Sequence, residues 1–267
     1  MLQKMTQALR QVPGVVAVVL GWSRATETST PNSDYDIGMY YDQGSFDLAS
    51  LQVIATRLDD KHRSDLIAGP GGWGEWVNGG GWLTVDGHAV DIILRDVARV
   101  SSACADALSG RVTCHYQPGH PHAYLNVMYA GELASSRVLW SGNLGFDLLK
   151  QQTERYPSAL KQALVHLFSF EAEFSLSLAQ KYAGTKDAYY VTAHLVRAVS
   201  AVNQWLYAAN ERYFLNEKRA VHNIEHMPIH PPDYGCRIEA VFGGNPPAER
   251  CMLLQGIIEE VKQISLT

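Results

Sequence analysis

Apolar residues follow two different rhythms along the chain. Leu2, Met5, Leu9 and Val12 recur at three- and four-residue intervals, which predicts a helix over 2–12, ended by Pro13-Gly14. Val15 to Leu20 is an unbroken apolar run rich in β-branched residues, the pattern of a buried strand. Residues 21–33 lose that character and become rich in Ser, Thr, Gly, Asn and Pro, which predicts a loop; Tyr35 to Tyr41 then reads as a second strand. Leu48, Leu51, Ile54, Ala55 and Leu58 give helical spacing over 46–60. Further on, WLTVDGHAVDIIL alternates around Asp86-Gly87, a two-residue turn signal that predicts a hairpin. A helix is expected over 96–108, and an irregular stretch over 109–123 around QPGHPH.

From about residue 145 strand signals fade. Residues 158–183, 187–215 and 247–264 carry apolar positions at helical spacing, the last after the breakers Gly243, Gly244, Pro246 and Pro247. The expected fold class is α+β. An N-terminal α/β domain with a mixed sheet covers 1–144, and a helical bundle of four or five helices covers 145–267.

Composition narrows the function more than the fold. The chain has 267 residues, 46% apolar and 18% charged, which is ordinary for a globular protein. Its formal net charge of −5 supplies no global positive field, so a polymeric nucleic-acid substrate is disfavoured. Cys104, Cys114, Cys236 and Cys251 are widely spaced with no C-x-x-C pair, and are read as free thiols in a reducing compartment. The N-terminal apolar run is too short to span a bilayer and lacks a small-residue cleavage site, so a cytoplasmic protein without membrane attachment is expected.

The chemistry is concentrated in three acids. Asp34 and Asp36 are two apart at the start of a strand, which puts both carboxylates on one face. Like charges side by side cost free energy unless a cation sits between them, and Mg2+ is the natural partner of carboxylate and phosphate oxygens. Asp91 heads the apolar strand VDIIL. Three carboxylates converging from adjacent strands would hold two metals, an arrangement suited to in-line displacement at phosphorus. Taken alone, a D-x-D pair is more often a plain strand edge. Its upstream context is more specific: a buried strand, then Gly21 and Ser23 in a Gly/Ser turn that can turn backbone N–H groups toward a triphosphate, with Arg24 adding charge.

The segment VLGWSRATETSTPNSDYDI, residues 19–37, resembles the G-[GS]-S-R-A…S-D-x-D signature of the polymerase-β-like nucleotidyltransferase superfamily. The nearest likeness is to bacterial small-molecule enzymes of the aminoglycoside and lincosamide type. The resemblance covers residues 15–41, with Asp91 fitting the third acid; the helical half is similar in architecture only. It implies that Gly21 and Ser23 hold the β- and γ-phosphates, that Asp34 and Asp36 ligate metal, and that Asp91 completes the site as ligand or as base. It further implies two Mg2+ ions (Mn2+ being the substitute), a nucleoside triphosphate with ATP as the default, and a small hydroxylated acceptor. A homodimer is expected by analogy with related enzymes that share sites between subunits. Two departures stand out, Trp22 where Gly or Ser is usual and Glu27 where a second Gly is frequent. Adenylylation of a protein partner and a catalytically inactive nucleotide-binding relative are the competing readings.

The remaining candidates concern substrate. Glu171 and Glu173, in the apolar stretch LFSFEAEFSL, are candidate bases for the acceptor; alternatively one faces solvent and the other pairs with a Lys or Arg. Lys181 and Lys218, with Lys186, are candidate phosphate clamps, or ordinary surface lysines. The Gly/Trp-rich segment 69–82 either forms an aromatic platform for a base or sugar, or folds back over the sheet. Cys114, His115, His120 and His122 fit no standard zinc spacing and are read as a loop, near the substrate entrance or purely connecting.

Overall fold

The computed structural model describes residues 1–21 and 34–265. It divides into two compact units, the first comprising Met1–Asp106, Thr113–Gly119 and Ala123–Arg155, the second Ala107–Val112, His120–His122 and the chain from Tyr156 onward.

The first unit is built on a mixed sheet. Its strands are β1 (Val15–Leu20), β2 (Tyr35–Tyr41), β3 (Ile67–Ala68), β4 (Gly79–Val85), β5 (His88–Asp96) and, after the two-residue strands β6 (Cys114–His115) and β7 (Tyr124–Leu125), β8 (Arg137–Ser141). The order across the sheet is β3-β4-β5-β2-β1-β8. Among the described residues only the central pair β2–β5 is parallel. That pairing needs a long crossover, which α2 (Leu48–Leu58) supplies. One face of the sheet carries Ile37, Met39 and Tyr41 of β2 with Val90, Ile92 and Leu94 of β5, and buries them with Leu51, Ala55 and Leu58 of α2 and with Met5 and Leu9 of α1 (Leu2–Leu9). The period-three-and-four apolar positions of the two helices thus meet the period-two positions of the strands. Helix α3 (Val97–Ser109) follows β5 directly, and α4 (Met128–Ser135) and α5 (Leu144–Gln152) flank β8. Edge strand β8 and helix α4 have no counterpart in the sequence reading; both are short, and their apolar residues form no clear period.

Glycine density in 69–82 has a steric cause. A Cβ on Gly79 would stand 2.3 Å from the Gly69 carbonyl oxygen, and one on Gly81 would stand 2.2 Å from that of Leu66. Strand β4 therefore begins at Gly79, three residues before the hairpin pattern suggested, because the neighbouring chain lies on it. Trp76 packs inward, stacked on His115 at 4.0 Å and close to Tyr124 and Tyr129.

Asp59, at the end of α2, is a buried structural carboxylate. Its Oδ1 accepts from the Thr84 N–H at 2.9 Å and from Arg63 Nη2 at 2.7 Å, while Oδ2 accepts from Arg63 Nε and N–H. The Arg63 hydrogen bonds hold its pKa well below the usual carboxylate range, against the opposing effect of burial. Because the folded-state pKa is depressed, the stabilisation is fully present above the unfolded value of 3.8 and is lost progressively below it, down through the depressed folded-state value. Asp59→Ala is expected to cost about 1–3 kcal/mol at neutral pH through the orphaned Thr84 N–H and Arg63. In urea melts the gap between variant and wild type should start to narrow below about pH 4 and keep narrowing as the pH falls further.

In the second unit, α6 (Ser158–Tyr182) and α7 (Ala188–Ala209) pack along one another. Leu160, Leu164, Phe168, Ala172, Leu176 and Ala179 form the buried stripe of α6. Asp187 caps α7 by accepting from the Tyr190 N–H. Short helix α8 (Ala220–Ile224) and helices α9 (Tyr234–Phe242) and α10 (Pro247–Ile264) complete the unit, with Tyr234 Oη donating to Asn203 Oδ1 of α7 at 2.7 Å. Among the described residues no helix is long and apolar enough to cross a membrane. Cys104 and Cys251 are buried and Cys114 and Cys236 exposed, all as free thiols.

Candidate functional site

Strand register assembles the site. Asp36 of β2 lies directly opposite Asp91 of β5, and Asp91 lies directly opposite Trp82 of β4. Gly21, immediately after β1, donates its N–H to the Asp36 carbonyl at 2.6 Å. A transverse row Gly21–Asp36–Asp91–Trp82 therefore crosses four neighbouring strand positions. Residues opposite one another point their side chains to one side, and β2 and β5 give Ile37 and Ile92 to the core. Alternation then turns Asp36 and Asp91 to the other face, and Asp34 with them. Gly21 leaves that face open: a Cβ there would stand 2.6 Å from the Cβ of Asp36.

The same face is closed farther along the strands. Tyr40 packs on Phe146 of α5 at 4.8 Å. Arg95 and Glu132 of α4 form a bidentate pair, Nε to Oε2 at 2.6 Å and Nη2 to Oε1 at 2.8 Å, with only 4% and 7% of the two residues exposed. Arg95 Nη1 also donates to the Val77 and Leu94 carbonyls, and Tyr124 Oη donates to Glu132. A narrow cleft runs from Gly21 and Asp36 past Gly38 to this pair. The sheet thus presents half-buried carboxylates at one end of a face whose other end is sealed.

Electrostatics mark the acids as a set. Burial first, then the charges of Asp36 and Asp34, push the Asp91 carboxyl up to about 6; a hydrogen bond with the Trp82 side chain offsets this only in part. Among the described residues no three His, Cys, Asp or Glu side chains are gathered closely enough to cage a metal unaided, and this holds for Cys114, His115, His120 and His122 as well. The acids nonetheless fit a hard divalent cation that draws its other ligands from phosphate and water. Mg2+ is typically held by one or two carboxylates plus substrate oxygens, and a cation relieves the repulsion that raises the Asp91 pKa.

The other sequence candidates divide between the units. Ser23 and Arg24, with Trp22, lie outside the described residues. The second unit holds Glu171, Glu173, Lys181, Lys186 and Lys218. Glu171 Oε1 accepts from His122 Nε2 and from Arg197 Nε, both at 2.8 Å. Burial pushes its carboxyl up, but those two partners outweigh burial and hold it below the ordinary value. Glu173 is exposed and pairs with Lys262 at 2.8 Å. Lys181 Nζ stands 5.8 Å from the ring of Tyr182. Lys218 donates its backbone N–H to Asn216 Oδ1. His120 and His122 sit by Glu217, whose Oε1 accepts from the His122 N–H.

Three residues of the site region escaped the sequence reading. Trp82 was seen as part of an aromatic segment, not as the neighbour of Asp91. Arg95 sits four positions beyond Asp91 on the same strand face, and Glu132 is a lone acid in an apolar stretch; those two patterns were the available signals.

No protein-family model matches the sequence, and no curated protein matches it. Solved structures do. Among them is a nucleotidyltransferase-like protein from Exiguobacterium sibiricum, with 10% identity and a TM-score of 0.48 over 98% of this chain and 74% of that one.

Proposed function

We propose that this protein transfers a nucleoside monophosphate, AMP from ATP, to a hydroxyl of a small-molecule acceptor and releases pyrophosphate. The observation that carries the reading is the register pairing of Asp36 with Asp91, with Asp34 close enough for its charge to act on Asp91. Asp34, Asp36 and Asp91 would hold Mg2+, or Mn2+ in its place, which supplies charge neutralisation and polarises the phosphate oxygens. Gly21 gives the triphosphate access beside Asp36, and Ser23 and Arg24 add a hydroxyl and a charge. The acceptor oxygen forms a bond to the α-phosphorus as the bond to the bridging oxygen breaks. Pyrophosphate leaves with that electron pair, and Asp91 receives the hydroxyl proton. The net charge of −5 supports a small acceptor over a nucleic acid.

Labelled nucleoside triphosphates, Mg2+ and panels of hydroxylated acceptors provide the test, read as pyrophosphate release. Asp34→Ala and Asp36→Ala are each expected to abolish release while the circular-dichroism melt persists. Wild-type turnover in both variants would remove the metal assignment.

A further inference from the structure

The exposed face of β4 carries a feature that nucleotidyl transfer alone does not use. Trp82 is 61% exposed although it lies in the middle of a paired strand. Trp73 stacks against it, with ring centroids 4.6 Å apart and planes 26° from parallel. Gly80, two residues before Trp82, leaves room beside that stack: a Cβ there would stand 2.0 Å from the Ile92 carbonyl oxygen and 2.7 Å from the Trp73 ring. A side chain at Gly80 would thus meet both the adjacent strand and Trp73, which props Trp82 from one side. Trp76, in the same segment, is wrapped by His115, Tyr124 and Tyr129. The segment therefore holds one indole enclosed by other rings, Trp76, and one stacked pair whose outer member, Trp82, is exposed.

We propose that Trp82, propped by Trp73, is the shelf on which the acceptor stacks, and that the acceptor is a ring bearing a hydroxyl at its edge. This rests on the nucleotidyl-transfer reading. In an in-line displacement the entering oxygen and the leaving pyrophosphate occupy opposite sides of the phosphorus. The row runs Gly21–Asp36–Asp91–Trp82, with Gly21, the proposed phosphate contact, at one end and the indole at the other. At about 4.8 Å per strand, Gly21 and Trp82 are separated by roughly 14 Å, with the carboxylates between them. A group leaving toward Gly21 requires its nucleophile to enter from the Trp82 side. A ring lying on the indole face brings its edge hydroxyl to Asp91 on the adjacent strand. The ring class shared by sugars and phenols satisfies this, since both offer an apolar face and an edge hydroxyl.

Saturation-transfer NMR on the full chain tests it, with methyl hexopyranosides in one arm and cresols in the other, in the presence of Mg2+ and a non-hydrolysable ATP analogue. Wild type is expected to transfer saturation to one arm, which also identifies the ring class. Trp82→Ala should weaken that binding by about tenfold or more, and Trp82→Phe, which keeps a stacking face, by no more than about threefold. Both variants lose the indole N–H that bonds Asp91, so their affinities for the ATP analogue, measured by equilibrium dialysis, should agree with each other within about twofold. Weaker nucleotide binding in Trp82→Ala than in Trp82→Phe, in parallel with ring affinity, would assign the shelf to the base and overturn the proposal. So would unchanged ring binding in Trp82→Ala, or no transfer to either arm from wild type that binds the nucleotide. Wild type that fails to bind nucleotide with Mg2+ overturns the nucleotidyl-transfer reading itself, and the acceptor assignment with it.

Discussion

Asp91→Asn is expected to lower transfer at least about a hundredfold, the scale of a removed catalytic group, and at the same time to stabilise the metal-free protein at neutral pH. The two effects have one cause. Burial and the neighbouring Asp36 and Asp34 raise the Asp91 carboxyl from 3.8 to about 6. A carboxyl whose folded-state pKa is raised is favoured protonated in the fold. Its contribution is fully present below the unfolded value of 3.8 and is lost as pH rises through about 6. Asparagine keeps the shape without the charge. The melting temperature of the variant relative to wild type should therefore rise from near zero at pH 4 to a plateau above about pH 6. Adding Mg2+ with a non-hydrolysable nucleotide should narrow the gap, because a ligand that binds the wild-type fold stabilises it by mass action. A variant less stable than wild type at pH 7.5 would contradict the view that these acids repel one another in the folded state.

The second large effect lies at the sealed end of the same face. Glu132→Ala leaves the buried Arg95 guanidinium, 4% exposed, with the Val77 and Leu94 carbonyls as its acceptors among the described residues, and removes the acceptor of the Tyr124 hydroxyl. Breaking a buried pair in this way costs about 3–5 kcal/mol. Replacing both members, Arg95→Met with Glu132→Leu, should be far milder, because the desolvation of both charges disappears with them. Chemical denaturation of the three variants would show the ordering directly. If the double variant were as unstable as Glu132→Ala, the pair would be contributing more than the avoidance of a stranded charge.

The strand pair was legible because Val15 to Leu20 is an unbroken apolar run and Tyr35 to Tyr41 alternates Ile37, Met39 and Tyr41 with Asp36, Gly38 and Tyr40, and the strands fall on those bounds. The long helices were legible from their spacing, although 187–215 ends earlier, at Ala209. Pairing between distant strands was not. Nothing local in Asp36 or Asp91 specifies that β2 and β5 run side by side and parallel; that depends on the crossover and on the core residues of both strands. One pairing was readable and was missed. The two-residue turn at Asp86-Gly87 sets Val85 opposite His88, and counting outward sets Trp82 opposite Asp91. The glycines of 79–81 report contacts with Leu66, Gly69 and Trp73, which composition cannot name in advance. Glu171 looked like a free acid in an apolar stretch. Its partners His122 and Arg197 come from 49 residues upstream and from the following helix, beyond the reach of helical periodicity.

The central claim is that the row of carboxylates promotes attack at the α-phosphorus of a nucleotide. The most direct measurement follows the fate of the two ends of ATP. Wild-type protein is incubated with Mg2+, an acceptor panel, and ATP labelled in parallel samples at the α- or the γ-phosphate. The α-label should appear on an acceptor and the γ-label in pyrophosphate, with both signals absent from Asp36→Ala. Release of the γ-label as orthophosphate, or its transfer to an acceptor, would show attack at the other end of the triphosphate and contradict nucleotidyl transfer.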